Sequence, residues 1–334
     1  MIRYRHIKMA SRFLLNRFRE IHPFEIQAYI TSACNQKCVY CLCPNIQTKS
    51  LSTEHWKKII HELGAHGSLR FKFQGGEPTL RKDFRDLSRE AQAAGMITAT
   101  VSNGILIVAR PDLLEYVDEL VISIDSPRES VNDRIRGRGA FQAAVRALDI
   151  SVKKGLRTFI NMVVIRDNLD DLEAMLQFSE SKGALLNAQP SMHDRKYFSG
   201  QDPEFTLTTE ESQEVNFRLY EWKKKGRGLL FSPQVYKKAA EWADFNHLTT
   251  KSEGLSSCMA GKSYFHIEPN GDVHPCGLHG ADFTPKNIVK DGFVGAFLHA
   301  GKHNCGDCWM PFMNERKGTF KLKFSSLREV ISRN

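Results

Sequence analysis

Six short apolar runs alternate with amphipathic stretches between residues 25 and 190, and this alternation restricts the fold more than any other feature of the chain. The runs EIQAYIT (25–31), RFKFQ (70–74), ITATVS (97–102), ELVISI (119–124), TFINMVVI (158–165) and LLNAQP (185–190) have the length and composition of strands. Between them, residues 53–64, 82–94, 111–117, 140–154 and 170–182 carry helical periodicity. A strand that returns to its sheet through a helix lies parallel to the strand it left, with a right-handed crossover. Repeated about six times, the pattern predicts a doubly wound sheet or a full or partial barrel.

The alternation stops near residue 195. Residues 208–245 read as a charged, helical connecting segment with Trp222 and Trp242 as packing anchors. After residue 254 the composition turns to Gly, Cys, His and Pro with short strands, which predicts a second, smaller unit. The front of the chain, MIRYRHIKMASRFLLNRFRE, holds six Lys and Arg against one Glu and accounts for much of a net charge of +9. Its apolar residues are spaced as on one helix face, so it reads as a basic amphipathic helix, and residues 1–22 are a candidate for contact with a membrane surface. The other reading of this segment is a helix packed on the main domain. No run of about 18 apolar residues occurs, so neither a span nor a secretory signal is expected and the chain is predicted to be cytoplasmic. In that compartment clustered cysteines point to metal rather than to disulfides.

Cys34, Cys38 and Cys41 lie within ITSACNQKCVYCLCP, in the loop after the first predicted strand. In parallel barrels chemistry is carried at the C-terminal ends of the strands, where this loop begins. Three thiolates leave one iron of a 4Fe-4S cluster open to a ligand that is not protein. A structural zinc site would need a fourth ligand, for which Cys43 is the alternative candidate; otherwise Cys43 is a buried free thiol. A Cys-x3-Cys-x2-Cys motif after the first strand of a βα repeat resembles the radical S-adenosylmethionine (SAM) superfamily. That resemblance implies a partial (β/α)6 TIM-like barrel in which SAM chelates the open iron and is cleaved to a 5'-deoxyadenosyl radical that takes hydrogen from a substrate. It also sets Tyr40 near the adenine.

FQGGEP follows the second predicted strand; its paired glycines allow a close backbone approach, and Glu77 offers a carboxylate to an ammonium group. It is similar to the superfamily's GGEP motif, which implies that Gly75, Gly76, Glu77 and Pro78 bind the methionine end of SAM. Ser102 and Asn103 in SNG, and Ser123 in SID, place small polar groups at the ends of the third and fourth strands. By the same resemblance Ser123 and an Arg of NDRIRGRG, taken as Arg136 rather than Arg134, bind the SAM carboxylate.

Cys258, Cys276, Cys305 and Cys308 form a second set, with gaps of 17, 28 and two residues. From spacing alone, zinc and an iron-sulfur cluster are equally supported. The set resembles the C-terminal auxiliary-cluster domains of SPASM and twitch type, which implies a second, fully ligated 4Fe-4S cluster that accepts an electron in an oxidation. His266, His274 and His279 lie beside these cysteines as candidate tuning groups. The expected organisation is a basic helix over 1–24, the barrel over 25–200, a helical linker over 201–253, the auxiliary domain over 254–320 and a tail over 321–334.

His193, Asp194, Arg195 and Tyr197 follow the last barrel strand and are candidates for substrate binding or proton transfer. The superfamily acts on many substrate classes, so fold does not fix function. The leading expectation is oxidation of a small metabolite, with a peptide or protein maturase and an isoprenoid- or lipid-modifying enzyme, including one that adds the adenosyl group, as alternatives. A flavodoxin or ferredoxin is the expected reductase, and nucleic acid is not an expected partner.

Overall fold

In the computed structural model the strands in chain order are β1 (Glu25–Thr31), β2 (Arg70–Gly75), β3 (Ile97–Ser102), β4 (Glu119–Ser123), β5 (Arg157–Val164), β6 (Leu185–Pro190), β7 (Thr249–Lys251), β8 (Tyr264–Ile267), β9 (Asp272–His274), β10 (Lys286–Asn287) and β11 (Cys305–Cys308). The helices are α1 (Thr53–Ala65), α2 (Phe84–Ala93), α3 (Ile105–Ala109), α4 (Glu129–Arg136), α5 (Ala140–Lys153), α6 (Leu172–Ser181), α7 (Thr209–Lys224), α8 (Pro233–Ala240), α9 (Phe293–Ala300) and α10 (Pro311–Phe320). The structure describes residues 13, 15, 22–192, 205–251, 258–278, 283–303 and 305–320. It divides into two units, Met1–Asn35 with Cys43–Val121 and Ala260–His303, and Gln36–Leu42 with Ile122–Met259 and Asn304–Asn334.

In the first unit, β1 pairs parallel with β2 and β2 with β3, and the opening residues of β4 follow. On the other side of β1, β8 pairs parallel, and β9 and β10 continue antiparallel. The period-two pattern of β1 buries Ile26, Ala28 and Ile30 while Gln27 and Tyr29 stay half-buried on the opposite face. Helices cover the apolar face. Trp56 of α1 meets Phe71 edge-on at 6.5 Å, and Phe73 meets Phe84 of α2 at 5.4 Å. α1 starts where Ser52 accepts from the His55 amide, an ordinary N-cap.

In the second unit, the end of β4 precedes β5, and β5 pairs parallel with β6 in the register Asn161↔Asn187. Ser151 of α5 bonds Thr158 at 2.6 Å, so Thr158, Ile160, Met162 and Val164 face the helices while Phe159, Asn161 and Val163 face the other way. α7 begins with a capping box between Thr208 and Glu211. β7 and β11 form a separate antiparallel pair, and Glu315 of α10 accepts from the amide and hydroxyl of Ser232.

All six predicted strands are present within a residue or so of their expected ends. The helix expected over 111–117 is instead α3 followed by a 3-10 turn, Pro111–Leu114, because Arg110 leaves helical geometry before a proline that has no amide to donate. The segment 208–245 is two helices, α7 and α8, interrupted where Leu229 bridges to Leu186. Trp222 and Trp242 are only half-buried there, and Leu219, Val235 and Tyr236 fill the core. The single unit expected over 254–320 is divided, since β8 extends the sheet beside β1. The tail over 321–334 and nearly all of the expected helix over 1–24 lie outside the described residues. Among the described residues no helix is long and apolar enough to cross a membrane.

Candidate active site

In the first unit, the chain leaves β1 at Thr31 and passes directly over the Gly75–Gly76 turn. The Gly76 amide donates to the Thr31 carbonyl at 2.9 Å, and the Glu77 amide to Ala33 at 2.8 Å. A Cβ on Gly75 would stand 2.1 Å from the Thr31 oxygen, and one on Gly76 would stand 2.3 Å from the Ala33 oxygen. Gly75 also has φ +141°. The glycines are therefore required by the segment that carries Cys34.

Glu77 is 1% exposed, and its carboxylate accepts four protein donors: the Thr79 amide and hydroxyl, the Ser102 hydroxyl at 3.0 Å and the Asn103 amide at 2.8 Å. Burial pushes its carboxyl above the ordinary range, against the lowering effect of these bonds. Both oxygens are thus engaged by the turn after β2 and the end of β3, whereas the motif resemblance implies a carboxylate turned to the SAM ammonium group. Asn103 reaches on to Asn35, Nδ2 to Oδ1 at 2.7 Å, and so ties the end of β3 to the residue after Cys34. Asn35 was not singled out by sequence reasoning.

In the second unit, the Cys41 amide donates to the Cys38 carbonyl at 3.0 Å, a turn that sets the two thiols on one short loop. Between them Tyr40 is buried with Val131, Ile135, Val163 and Ile165, against which Cys38 and Cys41 pack. Its hydroxyl donates to Asp125 Oδ2 at 2.8 Å and accepts from Arg136 Nη2 at 2.7 Å. Arg136 Nε is 2.7 Å from the same Asp125 oxygen, and Nη1 is 3.9 Å from Cys38 Sγ. Burial pushes the Tyr40 hydroxyl well above its ordinary range, while the Asp125 carboxylate holds Arg136 charged despite its burial. Arg136, expected at the SAM carboxylate, is committed to a carboxylate of its own chain. Asp125, the last residue of SID, anchors this group and was passed over in favour of Ser123, which is half-buried at the end of β4.

Of the second cysteine set, Cys276 follows β9 in the first unit, while Cys258, Cys305 and Cys308 belong to the second. All four are buried. Burial and the neighbouring Cys258 push the Cys308 thiol up to about 12. His266 is buried, with Nε2 3.0 Å from Glu268, and His274 is buried nearby in the same unit. Cys43 is buried in a 3-10 turn, Cys43–Asn45. His193, Asp194, Arg195, Tyr197 and His279 lie outside the described residues.

Among the described residues no three His, Cys, Asp or Glu side chains are drawn together at metal-holding distance. The donor types nonetheless suit iron-sulfur clusters. Cys34, Cys38 and Cys41 are half-buried thiols of one stretch of sequence, with the Arg136 guanidinium beside Cys38, and the second set is four buried thiols, the kind of ligand that such clusters take.

Residues 28–179 match the model of the radical SAM superfamily. The mycofactocin maturase MftC of Mycolicibacterium smegmatis is 32% identical over 281 residues, which cover 81% of this chain and 69% of the maturase. The PqqA peptide cyclase of Ruegeria pomeroyi is 29% identical over 276 residues, 79% of this chain and 69% of the cyclase. SuiB of Streptococcus suis, solved bound to S-adenosylmethionine, superposes with a TM-score of 0.64 over 84% of this chain and 67% of its own, at 17% identity, and so shares the partial-barrel fold. With the cysteine loop laced to the glycine turn, and a relative this similar over more than two thirds of its own length, the chain belongs to the radical SAM superfamily, enzymes that work with S-adenosylmethionine and 4Fe-4S clusters.

Proposed function

We propose that this radical SAM enzyme oxidatively modifies a peptide. The observation that carries the proposal is the similarity, over four fifths of the chain, to a mycofactocin maturase and to a PqqA peptide cyclase. It displaces the small-metabolite reading that led from sequence alone. The face of β5 and β6 turned away from the helices adds support, because it carries a row of carboxamides, Asn161, Asn187 and Gln189. Asn187 Nδ2 bonds Asn161 at 2.6 Å, and its own oxygen is buried and unbonded. Neutral carboxamides of this kind suit the amide groups of an extended peptide. Asn161 is one strand repeat, about 7 Å, from Val163, which packs with Tyr40 beside Cys38 and Cys41.

In this reading Cys34, Cys38 and Cys41 hold the SAM-binding cluster. The backbone of Gly75 and Gly76, with Pro78, Ser102, Asn103 and Ser123, frames the SAM site, and Cys258, Cys276, Cys305 and Cys308 hold the second cluster. SAM bound at a reduced cluster supplies the radical that removes hydrogen. The protein's task is to hold the peptide rigidly at that point and exclude water, while a flavodoxin or ferredoxin supplies the electron.

The test uses extracts of the source organism grown in deuterated medium and separated by size. Reduced enzyme and unlabelled SAM should yield deuterated 5'-deoxyadenosine with the peptide fraction, and protease treatment of that fraction should remove the label. Label arising from the small-molecule fraction and resisting protease would return the enzyme to metabolite chemistry.

A further inference from the structure

The group around Arg136 does more than fill space. Asp125 is fully buried and Arg136 is 6% exposed. Such a pair carries a large desolvation cost, and its retention calls for complete bonding. The bonding is extensive. Asp125 Oδ1 accepts the Val163 amide at 2.9 Å, and its Oδ2 accepts the Tyr40 hydroxyl and stands in an ion pair with Arg136 Nε. The Asp125 amide donates to Asn132, and its carbonyl accepts from Asn168 at 2.7 Å. The guanidinium also lies over the Tyr40 ring, 5.9 Å from its centroid. Its Nη1 donates to Cys38 Sγ at 3.9 Å, and the Val39 amide donates to the Ile135 carbonyl beside it at 3.0 Å. A fixed cation is thus held against one thiol of the cluster loop, by Asp125 just past the end of β4 and by Tyr40 of the loop itself.

We propose that Arg136, locked by Asp125 and Tyr40, is a positioning residue that fixes the Cys38 sulfur and places positive charge on it, making the SAM-binding cluster easier to reduce. One-electron reduction adds a negative charge to the cluster and leaves Arg136 unchanged. A cation donating to a ligating sulfur therefore stabilises the reduced form and raises the potential. The proposal rests on the reading that Cys34, Cys38 and Cys41 hold that cluster, and it assigns Arg136 a partner other than the SAM carboxylate.

The test is a redox titration of reconstituted full-length protein in the absence of SAM, with the relevant cluster recognised by the change in its paramagnetic signal when SAM is later added. Removing Arg136 alone would strand a buried carboxylate, so the informative variant is Asp125→Asn with Arg136→Gln, which removes both charges, compared with Asp125→Asn alone and with Arg136→Lys. In the double variant the reduced-to-oxidised ratio at a fixed solution potential should fall severalfold, because the cation is the nearer charge. Asp125→Asn should shift it the opposite way, and Arg136→Lys should lie between wild type and the double variant. A double variant with full iron and sulfide and an unchanged potential overturns the proposal, all the more if its SAM affinity falls, since Arg136 would then serve SAM directly. If the double variant loses its cluster, the comparison of Arg136→Lys and Asp125→Asn decides, and equal potentials in those two overturn it. Wild-type protein without a SAM-responsive cluster would instead remove the underlying reading of the three cysteines.

Discussion

Four donors converge on the Glu77 carboxylate in a site closed to water, and their loss sets the cost of replacing it. Glu77→Ala should destabilise the protein by about 3 kcal/mol, since several buried donors are left unmet. Glu77→Gln should cost less, because its carbonyl still serves Thr79 and Ser102 while its NH2 opposes the Asn103 amide. Urea midpoints of the two variants check this. An Ala variant within about 0.5 kcal/mol of wild type that bound SAM poorly would mean that Glu77 acts on the ligand instead. Gly76→Ala is the sharper probe of the turn. Its Cβ would collide with backbone oxygens at 2.3 and 2.5 Å, so the Cys34 segment must shift, and iron incorporation at the first cluster should drop while the second is kept. At this scale the sequence made the motif legible but not its partners. The paired glycines and Glu77 announced a close approach, yet that Glu77 bonds β3 across 25 residues, and that Asp125 holds Arg136, depends on which strand ends and helices become neighbours.

Arg81 links the 3-10 turn after the glycine pair to the Ile30 carbonyl near the end of β1 at 3.0 Å and to the Leu51 carbonyl just ahead of α1 at 3.1 Å, while Asp83 holds it in place with two bonds. Burial works against the Asp83 carboxylate, but the bonds from Arg81 and Thr53 outweigh it and hold its pKa below the ordinary range. A lowered folded pKa gives stability that is present above the unfolded value of about 4 and lost as pH falls through the folded one. Asp83→Asn should therefore cost about 1–2 kcal/mol at pH 7 and clearly less at about pH 2.5, well below the unfolded value. Urea unfolding of the apo chain at both values tests this without interference from acid loss of iron, and an equal cost at both would exclude the ion pair as the cause. The strands themselves were readable because short apolar runs are a local signal, whether burial alternates as in β1 or is nearly continuous as in β5. The helix drawn over 111–117 failed at Arg110 and Pro111, where one backbone torsion and one missing amide outweigh an apolar pattern.

At the scale of the whole molecule, the division of residues 254–320 was not legible. Gln27 and His266 stand side by side in the β1–β8 pairing, and no local pattern records a partner so far along the chain. The four later cysteines were legible as a set only by their number, their place in one stretch of sequence and the resemblance to auxiliary-cluster domains. Anaerobically reconstituted protein should hold about eight iron and eight sulfide per chain, for two 4Fe-4S clusters. Iron near four with one zinc would show that the later set is a zinc site and would leave the oxidation without its electron acceptor.

Cleavage of SAM at the cysteine loop is the step from which every later one follows. Dithionite-reduced wild type should form 5'-deoxyadenosine and methionine slowly without substrate. A variant carrying Cys34→Ala, Cys38→Ala and Cys41→Ala should form none while keeping about half of its iron, and Cys305→Ala should still cleave SAM. Undiminished 5'-deoxyadenosine from the triple variant, or equal loss in both variants, would contradict the assignment of the cysteine loop and its glycine turn as the SAM site.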